Sequence, residues 1–161
     1  MEARLDIQHA PPGIIKAMMG LETYLSGCGL PRELLDLVYL RVSQINGCAY
    51  CLDMHSKDLR AAGETEQRLY LLDAWREAPF YSDRERAALA WSEAVTRVTE
   101  GHVPDQVYEQ ARNQFSDGDL ANLTLAITAI NSWNRLNIAF RTVAGSYQPA
   151  TTAKLAAHAH K

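Results

Sequence analysis

Apolar residues recur at helical spacing through most of this 161-residue chain, and glycine or proline punctuates the runs. Sustained alternation of β-branched and polar residues, the pattern of a half-buried strand, is almost absent. The Asn-Gly pair at Asn46-Gly47 lies between two helical stripes and not between strand-like runs, so it does not indicate a hairpin. The sequence therefore predicts an all-α protein of about seven helices.

Six of these helices can be placed from their stripes and end signals. The Ser-x-x-Glu spacing of Ser82 and Glu85 is typical of a capping box, and either Ser116 or Asp117 suits the cap of the last helix. The predicted helices cover residues 14–26, 31–46, 48–62, 82–101, a short stretch from 104, and 120–143. The second and third meet at Asn46-Gly47 and are predicted to run antiparallel.

Length, charge and composition limit the classes of protein that fit. A chain of 161 residues is expected to form a single domain over residues 1–161, with its core at about 12–148 and a loosely held tail at 149–161. A net charge of −3 gives no reason to expect nucleic acid or an anionic membrane as a partner. No stretch approaches the roughly 20 apolar residues of a membrane span, and no signal peptide is recognisable, so a cytoplasmic location is expected.

The stretch INGCAYCLDMH, from Ile45 to His55, concentrates two cysteines and a histidine in a cysteine-poor chain. A helix that begins near Cys48 lowers the pKa of a cysteine at its N-terminus and so favours reactive thiolate. Cys48 and Cys51 are three residues apart, which makes them neighbours that can close a disulfide. His55 follows Cys51 by four residues on the same face, where it can remove the thiol proton.

Asp36 in the preceding helix is a candidate partner of His55. It lies eleven residues before Gly47, and His55 lies eight residues after it. At roughly 1.5 Å rise per residue, the two stand within about 5 Å of the same level in an antiparallel pair. A carboxylate there would orient the imidazole and raise its basicity. The alternative is that Asp36 only complements the dipole of its helix.

The same cysteine stretch is compatible with two roles besides thiol chemistry. A zinc site of Cys48, Cys51 and His55 would need a fourth ligand or an open position, and no other cysteine or histidine falls at a helpful spacing. All three side chains could also simply fill the core. We expect neither role, and so predict no metal. Cys28, which stands alone, is expected to be buried.

The segment DLVYLRVSQINGCAYCLDMHSKDLRAAGE, from Asp36 to Glu64, resembles the alkylhydroperoxidase D (AhpD-like) branch of the carboxymuconolactone decarboxylase family. The shared pattern is an acidic residue, eleven intervening positions, and then Cys-x-x-Cys-x-x-x-His. A looser similarity extends from about residue 12 to residue 148. The resemblance implies an all-helical domain that assembles into trimers or hexamers and holds no bound cofactor.

The resemblance also implies that the thiols reduce peroxides, with electrons from dihydrolipoamide-type or other external dithiols, such as a lipoyl group on a donor protein. Cys51 would then be the thiol that attacks the peroxide, Cys48 the resolving thiol, and His55 with Asp36 the proton relay. The family usually has Glu where Asp36 stands, and the shorter side chain leaves room for a water before His55. Tyr50 stands where the best-known branch often has His, and its hydroxyl could hold a water or a peroxide oxygen.

The sequence thus predicts a thiol-dependent peroxidase that uses Cys51, Cys48, His55 and Asp36. A lyase or isomerase that acts on a lactone-like acid, with His55 as its base, is one alternative. A non-enzymatic helical oligomer with a redox-sensing dithiol is another. Candidates to face the cysteines from other helices are Phe80, Tyr81 and Glu93, and candidates to line an interface or the site are Asn131, Asn134 and Asn137.

Overall fold

A computed structural model of the protein describes residues 2–149. Within that range there are seven α-helices and no strand, which confirms the all-α prediction. The α-helices are α1 (Pro12–Ser26), α2 (Arg32–Asn46), α3 (Ala49–Ala61), α4 (Glu66–Tyr70), α5 (Asp83–Thr96), α6 (Asp105–Arg112) and α7 (Asp117–Phe140). Short 3-10 helices occur at Ile7–His9, Leu72–Ala74 and Val98–Glu100. The tail was predicted to be loosely held over residues 149–161, and all of it except Pro149 lies outside the described residues.

Helix α2 is the centre of the fold, because every residue from Leu34 to Ser43 is buried. It packs against α3, α5 and α7. One apolar cluster joins it to α1, α5, α6 and α7, and a second joins it to α3, α4, α5 and the segment at 72–81. None of the helices in residues 2–149 combines the length and apolar character that a membrane span needs.

The turn between α2 and α3 fixes the position of the cysteines. Gly47 adopts left-handed backbone angles (φ 68°), its N–H bonds to the Gln44 carbonyl at 3.2 Å, and the Cys48 N–H bonds to the Ser43 carbonyl at 3.1 Å. This pair of bonds is a Schellman motif, which satisfies the last carbonyls of α2. Tyr39, eight residues before Gly47, contacts His55, eight residues after it, so α3 returns antiparallel along α2 as predicted.

Replacing Gly47 with Ala tests how strongly this turn depends on its backbone. No atom lies within 4 Å of the position that a Cβ would take, so the cost is conformational. We expect Gly47→Ala to lower the free energy of unfolding by about 1 kcal/mol. Gly20→Ala is the matched control, since Gly20 lies inside α1 with equally open surroundings, and the change there should raise the free energy of unfolding by about 0.5 kcal/mol. Urea unfolding measures both, and a Gly47→Ala protein as stable as the parent would contradict the expectation.

The structure departs from the predicted helix ends where tertiary contacts intervene. Helix α7 stops at Phe140 and not at 143, because Arg141 turns left-handed (φ 55°). The chain then crosses α3, where the Gly145 N–H donates to an Asp53 carboxylate oxygen at 3.0 Å. Helix α5 ends at Thr96, five residues before the predicted glycine, and α4 is a helix that the periodicity did not locate. The Ser82 capping box, in contrast, is present as predicted.

Candidate functional site

Cys48 and Cys51 are joined by a disulfide at the beginning of α3, with their Cα atoms 5.3 Å apart. Cys48 is the N-cap residue, and its Sγ accepts the Cys51 backbone N–H at 3.4 Å. Each cysteine is only 1% exposed. A helix N-terminus stabilises negative charge, so this position favours a Cys48 thiolate whenever the disulfide opens.

A cavity of about 420 Å³ lies beside the disulfide, and it distinguishes the two cysteines. Cys51 and His55 line it, whereas Cys48 does not. Much of the remaining wall is apolar, contributed by Ile7, Met19, Met54, Ile130 and Trp133. A small organic molecule that enters this cavity therefore meets the sulfur of Cys51 first.

His55 is buried in the wall of the cavity, with 5% of its surface exposed. Neither ring nitrogen has a hydrogen-bond partner in the protein, and the ring packs against Tyr39 with 5.4 Å between centroids. Burial, and then the positive charge of Arg32, lower the pKa of His55 to about 4. The imidazole is therefore neutral near pH 7, with a lone pair available to take a proton from a bound molecule or a thiol.

Asp36 does not hydrogen-bond to His55, so the direct contact considered for the relay is not formed. Its carboxylate is held by the Arg32 guanidinium instead, with Nε to Oδ2 at 2.9 Å and Nη2 to Oδ1 at 2.7 Å. Burial raises the pKa of Asp36, against the lowering influence of Arg32. Tyr39, one helical turn closer to Gly47, is the α2 side chain that packs on His55. The relay role of Asp36 stays a prediction.

Asn137 joins the site from α7. Its Nδ2 donates to Cys51 Sγ at 3.6 Å and to the Trp133 carbonyl at 2.9 Å, and its side chain lines the cavity. A donor aimed at sulfur stabilises a thiolate there. The sequence signal was an asparagine at every third position of the last helix, and the structure places the third of these, Asn137, in the wall of the cavity.

The other two asparagines of this repeat hold the cysteine turn. Asn46 donates to Asn131 Oδ1 at 3.0 Å and to Asn134 Oδ1 at 2.8 Å, so one side chain ties the end of α2 to α7. Asn134, which is fully buried, also donates to Ser43 Oγ at 3.1 Å. These bonds fix the register of α7 against the turn, and thereby place Asn137 beside Cys51.

Several expected neighbours of the cysteines lie elsewhere. Glu93 accepts hydrogen bonds from Arg41 Nε at 2.9 Å and Trp75 Nε1 at 2.8 Å in a buried network on the α5 side, away from the cavity. Phe80 and Tyr81 do not line the cavity, whereas Tyr50 does. Among residues 2–149, no group of three or more His, Cys, Asp or Glu side chains is placed to hold a metal ion. Cys28 is half-buried against the first apolar cluster.

The chain is similar to known proteins of one family. Residues 12–94 match the model of the carboxymuconolactone decarboxylase family. Over 146 residues the chain is 43% identical to the uncharacterized protein YdfG of Bacillus subtilis (strain 168), covering 91% of this chain and 99% of YdfG.

Two of the crystal structures that share the fold illustrate the similarity. ATU0492 from Agrobacterium tumefaciens is a protein of unknown function that has been suggested to be an antioxidant defence protein AhpD. It is 42% identical and superimposes with a TM-score of 0.87 over 91% of this chain and all of its own. An uncharacterized peroxidase-related protein with an AhpD core, from Ralstonia eutropha JMP134, superimposes with a TM-score of 0.73. It is 20% identical, over 84% of this chain and 72% of its own.

Proposed function

Because the chain belongs to the carboxymuconolactone decarboxylase family, in its AhpD-like branch, we propose that it is a thiol-dependent peroxidase that cycles between the Cys48/Cys51 dithiol and the disulfide. One observation carries the proposal. Cys51 and His55 line the same largely apolar cavity, and both nitrogens of His55 are free of protein partners. This arrangement suits a nucleophile and its base around a small organic substrate.

The proposed reaction begins with transfer of the Cys51 thiol proton to the neutral imidazole of His55. The thiolate, stabilised by the Asn137 amide, attacks the distal peroxide oxygen, the O–O bond breaks, and Cys51 becomes a sulfenic acid. The departing alkoxide takes the proton from His55 and leaves as the alcohol. Burial of His55 makes the charged imidazolium unfavourable, which promotes this return of the proton.

Cys48 completes the oxidative half of the cycle. Its thiolate attacks Cys51 Sγ, and the S–O bond of the sulfenic acid breaks. The hydroxyl takes up one proton and leaves as water. The product is the disulfide seen in the structure. An external dithiol then reduces the disulfide by two exchange steps, and dihydrolipoamide is the type of donor that we propose. The net reaction converts peroxide and dithiol into alcohol, water and disulfide.

Counting thiols tests this proposal directly. We expect one equivalent of an organic hydroperoxide to remove two titratable thiols per chain from the reduced protein, and dihydrolipoamide to restore both. The half-buried Cys28 supplies an internal reference, because it should remain titratable in the denatured protein throughout. No loss of thiols with peroxide would reject the peroxidase. Loss and recovery without catalytic turnover would favour the redox-sensing alternative.

Assembly into a trimer or hexamer is a proposal from the resemblance, and a cytoplasmic location also stays a proposal. Several large apolar side chains of α1 are exposed in the single chain, which supports assembly. Ile14, Met19 and Tyr24 are 39%, 49% and 56% exposed. Sedimentation velocity of the full chain would measure the assembly state.

A further inference from the structure

The charged residues that line the cavity are predominantly acidic. Among residues 2–149 they are Asp6, Glu22 and Asp58, together with one cation, Arg32. Both carboxylate oxygens of the buried Asp36 lie on the Arg32 guanidinium, so Nε and Nη2 of Arg32 are already paired with a carboxylate inside the protein. An entering anion therefore competes with Asp36 for Arg32 and also meets the carboxylates of Glu22 and Asp58.

Two of these carboxylates are held in place by neutral donors, which fix them without cancelling their charge. Glu22 of α1 accepts the Trp133 indole N–H at 2.9 Å, and Asp58 of α3 accepts the Tyr147 hydroxyl at 2.7 Å. Asp6 has a neighbour of its own, since its Oδ2 lies 2.9 Å from Nδ1 of His9. Glu22 lies on α1 and Asp58 on α3, so two helices of the lining each contribute a negative charge.

An independent feature indicates that this cavity receives a ligand. His55 is 5% exposed, lines the cavity, and has no protein partner for either ring nitrogen. A buried polar group of this kind is costly unless something in the cavity bonds to it. The ligand must therefore present a polar group to His55 and tolerate acidic surroundings.

We infer that Glu22 and Asp58 make the cavity beside Cys51 selective by charge, favouring cationic or uncharged organic peroxides and thiols over those that carry a carboxylate or sulfonate. The inference rests on the proposed function, since it concerns the compounds that reach Cys51.

Charged thiosulfonates measure the potential at Cys51 without any peroxide. In a Cys28→Ser/Cys48→Ser protein the remaining thiolate attacks the reagent sulfur, a sulfinate leaves, and a mixed disulfide forms. The probes are the 2-aminoethyl (cationic), methyl (neutral) and 2-sulfonatoethyl (anionic) methanethiosulfonates, each rate divided by that for free 2-mercaptoethanol. At about 10 mM salt we expect the cationic reagent to react about tenfold faster than the anionic one, and the ratio to fall towards about two at 0.5 M salt.

Charge-removal variants locate the effect. Glu22→Gln with Asp58→Asn keeps acceptors for Trp133 and Tyr147, and should reduce the low-salt ratio to about three or less. Glu100→Gln with Glu109→Gln is the matched control, because it removes two exposed carboxylates that do not line the cavity, and should leave the ratio unchanged. An equal fall in both variants would overturn the inference, as would an anionic reagent that reacts as fast as the cationic one.

A second measurement guards against misfolding of the cysteine variant. In the reduced wild-type chain, modification of Cys51 is followed by attack of Cys48, so the rate of disulfide formation reports the same selectivity. These outcomes are separable from the peroxidase proposal. Charge selectivity without peroxide turnover would support the role of Glu22 and Asp58 and reject the peroxidase. Peroxide turnover without charge selectivity would support the peroxidase and reject the role of Glu22 and Asp58.

Discussion

Cys51→Ser should abolish dithiol-dependent peroxide consumption, with a loss of at least about a thousandfold in kcat/KM. A serine hydroxyl is not ionised by a base as weak as the buried His55, and it cannot form the sulfenic acid. Stopped assays with cumene hydroperoxide and dihydrolipoamide would measure the loss. Cys51 lines the cavity and Cys48 does not. The Cys51→Ser and Cys48→Ser proteins should therefore accumulate different oxidised species after treatment with peroxide.

Cys48→Ser is the matched control for that experiment. It retains the thiol that faces the cavity, so one equivalent of peroxide should still convert Cys51 to a sulfenic acid, which dimedone traps and mass spectrometry detects. Turnover should fail for lack of the resolving thiol. Sulfenic acid on Cys48 in the Cys51→Ser protein, with none on Cys51 in the Cys48→Ser protein, would reverse the assigned roles. Retention of activity by both variants would favour a lyase with His55 as its base.

In the oxidised protein, the free energy of unfolding should fall much less at acid pH after the substitution His55→Gln. The pKa of His55 is lowered by burial and then by Arg32 to about 4, whereas in the unfolded chain it is about 6.5. Between these values the unfolded chain binds a proton that the folded protein does not. The free energy of unfolding therefore falls as pH drops through this window, by about 3 kcal/mol between pH 7 and pH 4.

Urea unfolding of the oxidised wild-type and His55→Gln proteins at pH 7, 5.5 and 4 measures this difference. The raised pKa of Asp36 acts in the opposite direction, since its carboxyl takes up a proton more readily in the folded state. At each pH, the free energy of unfolding of the variant is subtracted from that of the wild type. The contribution of Asp36 cancels in this difference when the substitution leaves Asp36 unaffected. The same variant should lower the peroxidase kcat/KM by at least about a hundredfold near pH 7. If the free energy of unfolding depends on pH equally in the two proteins, His55 is not desolvated.

Asp36 and Asn137 show which features of the site the sequence predicts and which it does not. The rise per residue predicted how far along the antiparallel helix pair Asp36 lies relative to His55. It did not predict how α2 is rotated about its own axis, which decides the side chain that faces His55. In the structure Tyr39 packs on His55, while Arg32, four residues before Asp36, binds its carboxylate. Asn137 could be singled out by its periodicity, yet its bond to Cys51 depends on the packing of a helix 86 positions away in sequence.

The sequence by itself determined the helical class, the Gly47 turn, the place of Cys48 at a helix start, and the shared face of Cys51 and His55. These features are local, because helical hydrogen bonds, caps and the 3.6-residue period fix neighbours within one or two turns. Only the tertiary structure decided that Cys51 and not Cys48 meets the cavity, that Asp36 is bound to Arg32, and that Glu22 and Asp58 lie at its lining. Those relations depend on how α1, α2, α3 and α7 rotate and pack against one another, which dense side-chain packing determines and sequence spacing does not.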